Sequence, residues 1–467
     1  MGYREDQERS GSGLVELLAT RLWQLADRLM TTLSQRCRRI EVEPMQRFDA
    51  NTEHDSLSRA QRLREAVLLA FCDPMPAECE RLQGLGGREW QSLLTWLDTS
   101  GMALYFLDRL TQEGRLEMLT PAVLARLQQN LVDSTDRTNC MIAESTAIHV
   151  AFQGAGLSYA TLKGFSLWPV SVPKPELRSQ LDLDFLISEE SAPEARRLLE
   201  ARGYRLKAIS GRSWEFKSGL PGKASLKTLY KPTLHRTVEL HLEAKARGSD
   251  SLLARTTKLC FHGVCMPVLR PVDLFLGQGL HLYKHVCGEF WRVAHLIEFR
   301  RHVLARYDDE AFWKELRKVA EGNLRASVGL GVIIFLISHT MGDFAPEALT
   351  CWTSESLPVR IRLWVERYGQ RSVFASHPGS KLYLVLQQEL ERAGLIPKRS
   401  LSDALLPKRL PPAIAHASVD EALLARFARY RRQAAFILFR LRFHVVEGLR
   451  YVWESSRWEQ YVRERDR

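Results

Sequence analysis

The sequence lacks the features of several protein classes. None of its eight cysteines forms a C-x-x-C pair, and scattered cysteines fit a reducing compartment better than a disulfide framework. The longest apolar run, Val328 to Ile337, contains two glycines and is shorter than the roughly 20 residues of a membrane-spanning helix. No apolar segment of signal-peptide type follows Met1. We therefore expect a cytoplasmic protein without a transmembrane segment, which could still lie peripherally at a membrane.

Composition excludes unusual classes and indicates an anionic partner. The chain has 467 residues, 45% of them hydrophobic and 26% charged, which is typical of soluble proteins with more than one domain. The formal net charge is +11 and the pI is about 9.3, values that suit a nucleotide, a nucleic acid or an acidic membrane surface. Residues 398–467 contain 15 Lys or Arg against 8 Asp or Glu, a net +7. Most of the excess charge therefore lies at the C-terminal end.

The hydrophobic patterns divide the chain into helical, mixed and helical parts. Apolar residues recur at three- and four-residue steps in 14–36 and again in 57–150, the spacing of amphipathic helices. Short strand-like runs begin near Gly154, and one helix among them is expected to start with a capping box at Ser191 and to end before Gly203.

Helical patterns return after Pro271, and a basic helix covers about 420–464. This order predicts an α+β fold in which a small mixed sheet is flanked by N-terminal and C-terminal helical regions. The expected parts are a flexible tail at 1–12, helical regions at 13–150, 271–345 and 346–467, and the sheet at 151–270.

One strand carries two carboxylates. In the segment Leu181 to Ile187, Asp182 and Asp184 alternate with apolar residues, so both aspartates share one face while Leu181, Leu183, Phe185 and Ile187 face a core. Two neighbouring negative charges are costly unless a cation lies between them. Carboxylate oxygens suit Mg²⁺ or Mn²⁺ rather than zinc. A D-x-D tripeptide alone is also common on exposed strands, so its neighbours matter.

Two neighbouring segments strengthen the case for an active site. Upstream, Lys163 and Gly164 combine a positive charge with a backbone that can approach an anion closely. Downstream, a second alternating strand carries Glu239 and His241 on one face. If the two strands are neighbours in the sheet, three carboxylates converge.

These motifs resemble the uncharacterised nucleotidyltransferases of the polymerase-beta-like superfamily. The similar elements are the Leu162-Lys163-Gly164 turn, the Arg178-x-x-x-Asp182-x-Asp184 strand and the Glu239-Leu240-His241 strand. The resemblance covers about residues 140–310 and includes Gly203-Tyr204, His281 to His285 and Trp291-Arg292. Two positions depart from the superfamily pattern: Phe165 follows Gly164 where Gly or Ser is usual, and Glu239 replaces Asp.

The resemblance implies a metal-dependent nucleotidyltransferase with a nucleotidyltransferase core in the sheet region. Such an enzyme takes a nucleoside triphosphate such as ATP and uses Mg²⁺ or Mn²⁺. The acceptor, a small molecule, a protein or RNA, stays open. Asp182, Asp184 and Glu239 are the expected metal ligands and catalytic residues. The expected nucleotide-binding residues are Lys163, Gly164, Ser166, Arg178, His241 and Lys284.

Two other functions remain open at this point. The departure at Phe165 permits a non-catalytic binding or scaffold protein that keeps the fold. The C-terminal helix interleaves arginines, among them Arg426 and Arg432, with aromatic and aliphatic residues, which permits an RNA-binding protein or an RNA-directed enzyme. The same pattern suits an anionic membrane surface or a partner helix. An amphipathic helix packed on its own protein is the alternative for this segment.

Two further groups of residues show part of the spacing that is typical of a metal site. His281 and His285 lie one helical turn apart, but the residue after His281 is Leu282 and not the Glu of the H-E-x-x-H protease motif. Cys260 and Cys265 flank a short turn, with no second ligand pair at zinc-site spacing. Neither sequence pattern predicts a zinc site by itself.

Overall fold

The computed structural model describes residues 58–219, 228–232, 236–243, 251–289, 292–375, 378–398, 400–407 and 423–465. Across these residues the fold is α+β, with helices on both sides of a mixed seven-stranded sheet. The predicted fold class is therefore confirmed. The tail expected at 1–12, the helix expected at 14–36 and the motif residue Trp291 lie outside the described residues.

A helical region precedes the sheet. Between residue 58 and the sheet its α-helices are α1 (Arg59–Leu69), α2 (Gly87–Ser100), α3 (Ala103–Gln112) and α4 (Pro121–Gly154). Thr120 caps α4 by accepting a hydrogen bond from the amide of Val123, and Pro121 occupies the first turn, where a missing amide hydrogen costs nothing. Pro74, Pro76 and Gly84 lie between α1 and α2.

The strands of the sheet and the helix after β2 follow. The elements are β1 (Tyr159–Thr161), β2 (Asp182–Ile187), α5 (Ala192–Ala201), β3 (Arg205–Ser210), β4 (Ser213–Ser218), β5 (Arg236–Leu242), β6 (Thr256–Phe261) and β7 (Val264–Leu269). Their order across the sheet is β3-β4-β5-β2-β1-β7-β6. β2 pairs in parallel with β5 and β1 in parallel with β7, and the other neighbours are antiparallel.

Helices of the second half complete the described chain. They are α6 (Pro271–Val286), α7 (Ala294–Leu304), α8 (Glu310–Ala320), α9 (Leu324–Met341), α10 (Glu347–Thr350), α11 (Val359–Trp364), α12 (Gln370–Val373), α13 (Tyr383–Arg392), α14 (Leu401–Leu405) and α15 (Leu423–Arg465). One large core joins buried residues of α1–α3 with those of α6–α9 and the C-terminal half of α15. The helical regions before and after the sheet therefore bury their apolar faces against each other.

The alternation predicted for β2 is present. Leu183, Phe185 and Ile187 are buried in a second core beneath the sheet, together with residues of α4 and α5. Leu181 does not belong to that core: its side chain is 48% exposed, because β2 begins only at Asp182. The expectation that Leu181 packs inside is therefore wrong.

The start of α5 also differs from the prediction. Ser191 makes no side-chain cap, and its backbone is already helical; its hydroxyl instead accepts a hydrogen bond from the amide of Ser158. The predicted capping box is wrong because the Ser191 side chain bonds to the loop before β1 and not to the first turn of the helix. The end of the helix agrees with the prediction, since Gly203 has a φ of +86°.

Helix α9 contains the long apolar run of the sequence. By length and composition it is the one helix of the described chain that could cross a membrane, yet 67% of the window is buried inside the structure. Most of its side chains lie in the large core. This degree of burial is typical of a core helix in a folded domain.

The β6–β7 hairpin holds a disulfide between Cys260 and Cys265, whose Cα atoms are 4.0 Å apart. These two positions face each other directly across the hairpin. The sequence-based expectation of reduced cysteines is therefore wrong at this pair. Both sulfurs are bonded, so they form no metal site.

Candidate active site

The site begins with Asp184 on β2. Its carboxyl group is only 4% exposed, and Oδ1 accepts hydrogen bonds from Lys163 Nζ at 3.1 Å and from His241 Nε2 at 3.0 Å. Burial alone would raise the pKa of Asp184, but the hydrogen bond from His241 and the charge of Lys163 outweigh it and lower the pKa. Asp184 is therefore held as a buried carboxylate.

Asp182 lies on the same face, two residues earlier, in a different environment. Its pKa is raised, first by burial and then by repulsion from the charge of Asp184. The attraction of Lys163 and Arg178 only partly offsets these effects. An ionised Asp182 beside Asp184 is therefore costly, as expected for two carboxylates that share a cation site.

Glu239 and His241 come from the neighbouring strand β5. Because β2 and β5 run in parallel with Asp184 opposite Glu239, both side chains leave the sheet on one face. Ser213 on β4 donates a hydrogen bond to the Glu239 carboxylate, and His241 Nε2 lies 3.7 Å from Glu239 Oε2. Val238 and Leu240 are buried on the opposite face, which fixes the register.

Three residues of this face offer metal-ligand atoms close together. One ligand atom each of Asp184, Glu239 and His241 lies within 4.8 Å of the other two. Asp182, named from the sequence as a ligand, does not belong to this group. His241, named as a nucleotide-binding residue, does. The structure thus brings Asp184 and Glu239 together and adds a nitrogen donor.

The Leu162-Lys163-Gly164 turn packs directly against β2. Gly164 has a φ of +64°, and a Cβ atom at this position would lie 2.2 Å from Gln180 Nε2. Gln180 in turn donates from Nε2 to the carbonyl of Asp182 at 2.8 Å. Glycine is therefore required here by backbone conformation and by the close approach of Gln180. The sequence shows the glycine but gives no sign of Gln180 as its neighbour.

Phe165 and Ser166 continue the turn as a short 3₁₀ helix, Gly164–Leu167. The Phe165 ring is buried and stacks on Phe261 with centroids 5.1 Å apart, so this departure from the superfamily pattern serves core packing. Ser166 is also buried, and its hydroxyl donates to the carbonyl of Leu162 at 2.9 Å. In this structure the Ser166 hydroxyl is thus engaged with the backbone of its own turn.

Arg178 lies inside the molecule. Its side chain is 13% exposed, and Nε pairs with Glu298 of α7 at 3.1 Å; the hydroxyl of Tyr105 on α3 donates to the same carboxylate at 3.0 Å. Arg178 is therefore not a surface arginine at the entrance of the strand. Asp182 and Asp184 both act electrostatically on Arg178, so the guanidinium contributes positive charge behind the aspartates. The sequence did not reveal Tyr105 and Glu298, since both lie far from the motif in the chain.

Lys284 is exposed on α6. It acts on the pKa of His281, as do Lys163 and Asp184, so this part of α6 lies beside the carboxylate site. Arg292, just before α7, donates to the carbonyl of Ser179 at 3.1 Å. The helical segment after the sheet therefore contributes basic groups next to β2.

A family model described as an uncharacterised nucleotidyltransferase matches residues 86–339, more than half of the chain. The match includes the whole sheet and extends beyond the 140–310 range of the motif resemblance, from α2 to α9. It confirms the family that the Lys163, Asp184 and His241 motifs indicate. No curated protein matches the chain in sequence.

Proposed function

The chain belongs to the family of uncharacterised nucleotidyltransferases, and we propose that it transfers a nucleotidyl group from a nucleoside triphosphate at the site of Asp182, Asp184 and Glu239. The observation that carries the proposal is the parallel pairing of β2 and β5, with Asp184 opposite Glu239. This pairing collects acidic side chains from two strands on one face, beside the Lys163 turn.

In the proposed reaction an acceptor oxygen bonds to the α-phosphorus of the nucleotide. The bond from that phosphorus to the oxygen bridging to the β-phosphate breaks, and pyrophosphate leaves with the electron pair. The acceptor's proton passes to a base, for which Glu239 is our candidate, since its carboxylate is 30% exposed while Asp184 is enclosed.

The donor set suits a hard divalent cation. Asp182, Asp184 and Glu239 provide carboxylate oxygens, which Mg²⁺ prefers, and the nearby nitrogen of His241 is compatible with Mn²⁺. The raised pKa of Asp182, caused by burial and by the charge of Asp184, supports the need for a cation. Asp184, Glu239 and His241, whose ligand atoms lie together, would hold it, with Asp182 as a further carboxylate on the same face, and when bound it supplies positive charge against the triphosphate.

Basic side chains of the chain complete the proposed nucleotide site. Lys163 is one-third exposed and already sits at Asp184, from where its ammonium can reach a phosphate oxygen. His241 is 28% exposed on the same face. Arg178 stays buried behind the aspartates and acts through its charge. Gly164 shapes the turn that presents Lys163, and Lys284 lies exposed nearby on α6.

The decisive experiment uses nucleoside triphosphates labelled at either the α- or the γ-phosphate. The full chain is incubated with Mg²⁺, each nucleotide, starting with ATP, and extracts that supply protein, RNA and small molecules as acceptors. Nucleotidyl transfer moves the α-label to a product and releases the γ-label in pyrophosphate. Asp184→Asn should abolish the transfer, and the exposed Asp308→Asn should retain it.

The opposite results would favour another function. Transfer of the γ-label would indicate phosphoryl transfer. Binding of ATP without transfer of either label, for every acceptor pool, would favour the non-catalytic binding or scaffold protein that the sequence leaves open.

We propose a second, separate property for the N-terminal half of α15, which is association with a larger anionic partner. Arg431 and Arg432 are exposed there, next to Leu424 and Phe427, whose side chains are 85% and 69% exposed. Basic residues interleaved with exposed apolar ones are typical of RNA or anionic membrane contacts.

A further inference from the structure

A second cluster of metal-ligand atoms lies outside the carboxylate site. His281 and His285 occupy successive turns of α6, and His295 lies in the first turn of α7. Their ring centroids are 4.6, 5.5 and 5.6 Å apart. One ring nitrogen from each histidine lies within 4.8 Å of the other two.

The distances within the cluster match a transition-metal site. His281 Nε2 and His285 Nε2 are 3.1 Å apart, and ligand atoms of a tetrahedral zinc site with bonds of about 2.0–2.1 Å are about 3.3 Å apart. The α6 spacing of four residues places two rings on one face of a helix, and the short connection to α7 returns the third ring to them. The sequence could not show that His295 lies beside the two histidines of α6.

His295 has a buried ring nitrogen that is not satisfied in the described part of the chain. It is only 9% exposed, and its Nδ1 is buried without a hydrogen-bond partner among the residues that the structure describes. A buried polar nitrogen without a partner is energetically unfavourable. Coordination to a metal ion would satisfy a ring nitrogen of His295 in this cluster.

We propose that His281, His285 and His295 bind one divalent transition-metal ion, for which Zn²⁺ is the best fit. Three imidazole nitrogens suit zinc, whereas the oxygen-rich group around Asp184 suits Mg²⁺ or Mn²⁺. Within the described chain no further His, Cys, Asp or Glu joins the histidine group. The fourth position of a tetrahedral ion is then left for water or another small ligand, as in catalytic zinc sites.

The protonation state of the cluster agrees with a ligand role. The pKa of His281 is lowered to about 3, mainly by burial and further by the charge of Lys163. Burial likewise lowers the pKa of His295 well below its ordinary value. Neutral imidazole carries the free lone pair that a metal needs.

The site lies next to the proposed nucleotide site but does not depend on it. Lys163 and Asp184 both act on His281, so the zinc ion would sit within electrostatic range of the carboxylates. The inference rests on the histidine geometry alone and would hold if the chain transferred no nucleotide.

The test measures zinc in the full chain without nucleotide. Protein stripped with a chelator is titrated with Zn²⁺ by calorimetry, and the zinc-loaded protein is measured by X-ray absorption. We expect one Zn²⁺ per chain with a shell of nitrogen neighbours at about 2.0–2.1 Å. His285→Ala should weaken binding by at least about 100-fold, since even outer-sphere partners of ligands are worth 10–100-fold.

Two controls separate this site from others. His262→Ala removes an exposed histidine outside the cluster and should leave zinc affinity unchanged. Asp182→Asn should also retain zinc while losing the proposed Mg²⁺-dependent transfer. The proposal is overturned if the unmutated protein binds no stoichiometric zinc, if its absorption spectrum lacks a histidine shell, or if a folded His285→Ala variant binds zinc as tightly as the parent.

Discussion

Asp182 and Asp184 differ in their surroundings although they lie two residues apart. Hydrogen bonds from His241 and Lys163 overcome the effect of burial and lower the pKa of Asp184. Burial and the charge of Asp184 raise the pKa of Asp182. A carboxyl group whose pKa is lowered on folding stabilises the protein at pH values above its unfolded-state pKa, and this stability is lost as pH falls through the folded-state pKa. A carboxyl group whose pKa is raised on folding has the opposite effect, so stability is lost as pH rises.

The two asparagine substitutions should therefore change stability in opposite directions. Without divalent cations at neutral pH, Asp182→Asn should raise the free energy of unfolding, because it removes a charge that the fold disfavours. Asp184→Asn should lower it by about 1–3 kcal/mol, because the acceptor shared by Lys163 and His241 loses its negative charge. Urea unfolding in EDTA measures both, and the gain from Asp182→Asn should disappear in acid, where Asp182 is protonated.

Both variants should nevertheless lose transfer activity, by at least about 100-fold, the scale on which loss of one transition-state contact acts. The exposed Asp308→Asn serves as the control for both measurements. A destabilised Asp182→Asn protein would show that Asp182 is held by contacts that outweigh its burial and its repulsion by Asp184.

Gly164 offers a second prediction at the residue scale. Gly164→Ala places a methyl group 2.2 Å from Gln180 Nε2 at a φ of +64°. Gly211 has a similar φ of +59°, but nothing lies within 4 Å of its added Cβ. Gly211→Ala should cost about 1–2 kcal/mol for the left-handed backbone alone. Gly164→Ala should cost more, because Gln180 must also leave its bond to Asp182.

Urea unfolding of both glycine variants provides the comparison. Gln180→Ala in the Gly164→Ala background should recover part of the loss, since it removes the clash. Equal losses at Gly164 and Gly211 would mean that Gln180 moves aside freely and does not hold the turn against β2.

At the scale of secondary-structure elements, the sequence predicted the direction of side chains within a strand better than the pairing of strands. Alternation in β2 correctly assigned Asp184 and Phe185 to opposite faces, because side-chain direction in a strand depends only on position. The order of strands was open, since the β3–β4 hairpin lies between β2 and β5 in the chain. The exposure of Leu181 and the uncapped start at Ser191 depend on neighbours in space, which periodicity does not contain.

The buried contact of Arg178 and Glu298 ties three elements together: α3, α7 and the segment before β2. Arg178 and Glu298 have side chains 13% and 2% exposed, and Tyr105 also bonds to Glu298. Glu298→Gln should lower the free energy of unfolding by roughly 3–5 kcal/mol, because it leaves the guanidinium buried without its counter-charge. Tyr105→Phe should cost only about 0.5–1.5 kcal/mol, because it removes one hydrogen bond.

Denaturant titration distinguishes the two variants, with transfer activity as a second measurement. Arg178 also attracts Asp182 and Asp184 electrostatically. Glu298→Gln should therefore change the transfer activity even at denaturant concentrations at which the variant is still folded. Losses of the same size in both variants would mean that the hydrogen bond, and not the charge pair, fastens α7 to the site.

At the scale of the whole molecule, the family match ends at residue 339, and the large core does not. Tyr451 and Trp458 of α15 are buried in that core, and Trp458 Nε1 donates to Glu389 of α13 at 2.8 Å. Arg440 of α15 pairs with Glu289, just after α6, at 3.0 Å. From about Ile437 onward α15 is thus packed on the protein, which agrees with the docked-helix alternative for that part, while Leu424 and Phe427 at its other end remain exposed.

This difference between the two halves of α15 leads to the last prediction. Four arginines of the N-terminal half are replaced together by serine: Arg426, Arg429, Arg431 and Arg432. Because these residues precede Ile437, the first buried residue among the described positions of the helix, ATP binding and the unfolding midpoint should stay close to those of the parent. Retention on heparin and binding to anionic vesicles and single-stranded RNA should weaken, with a shallower dependence on salt, since fewer counterions are released.

A matched variant loses the same charge from the sheet region. Its four exposed residues are changed to serine in the same way: Arg196, Arg197, Lys207 and Lys258. If net charge alone governs association, both quadruple variants weaken it equally, and the proposed surface on α15 is wrong. If only the α15 variant weakens it, vesicles and RNA identify the kind of partner. Loss of ATP binding in the α15 variant would instead mean that this end of the helix belongs to the nucleotide site.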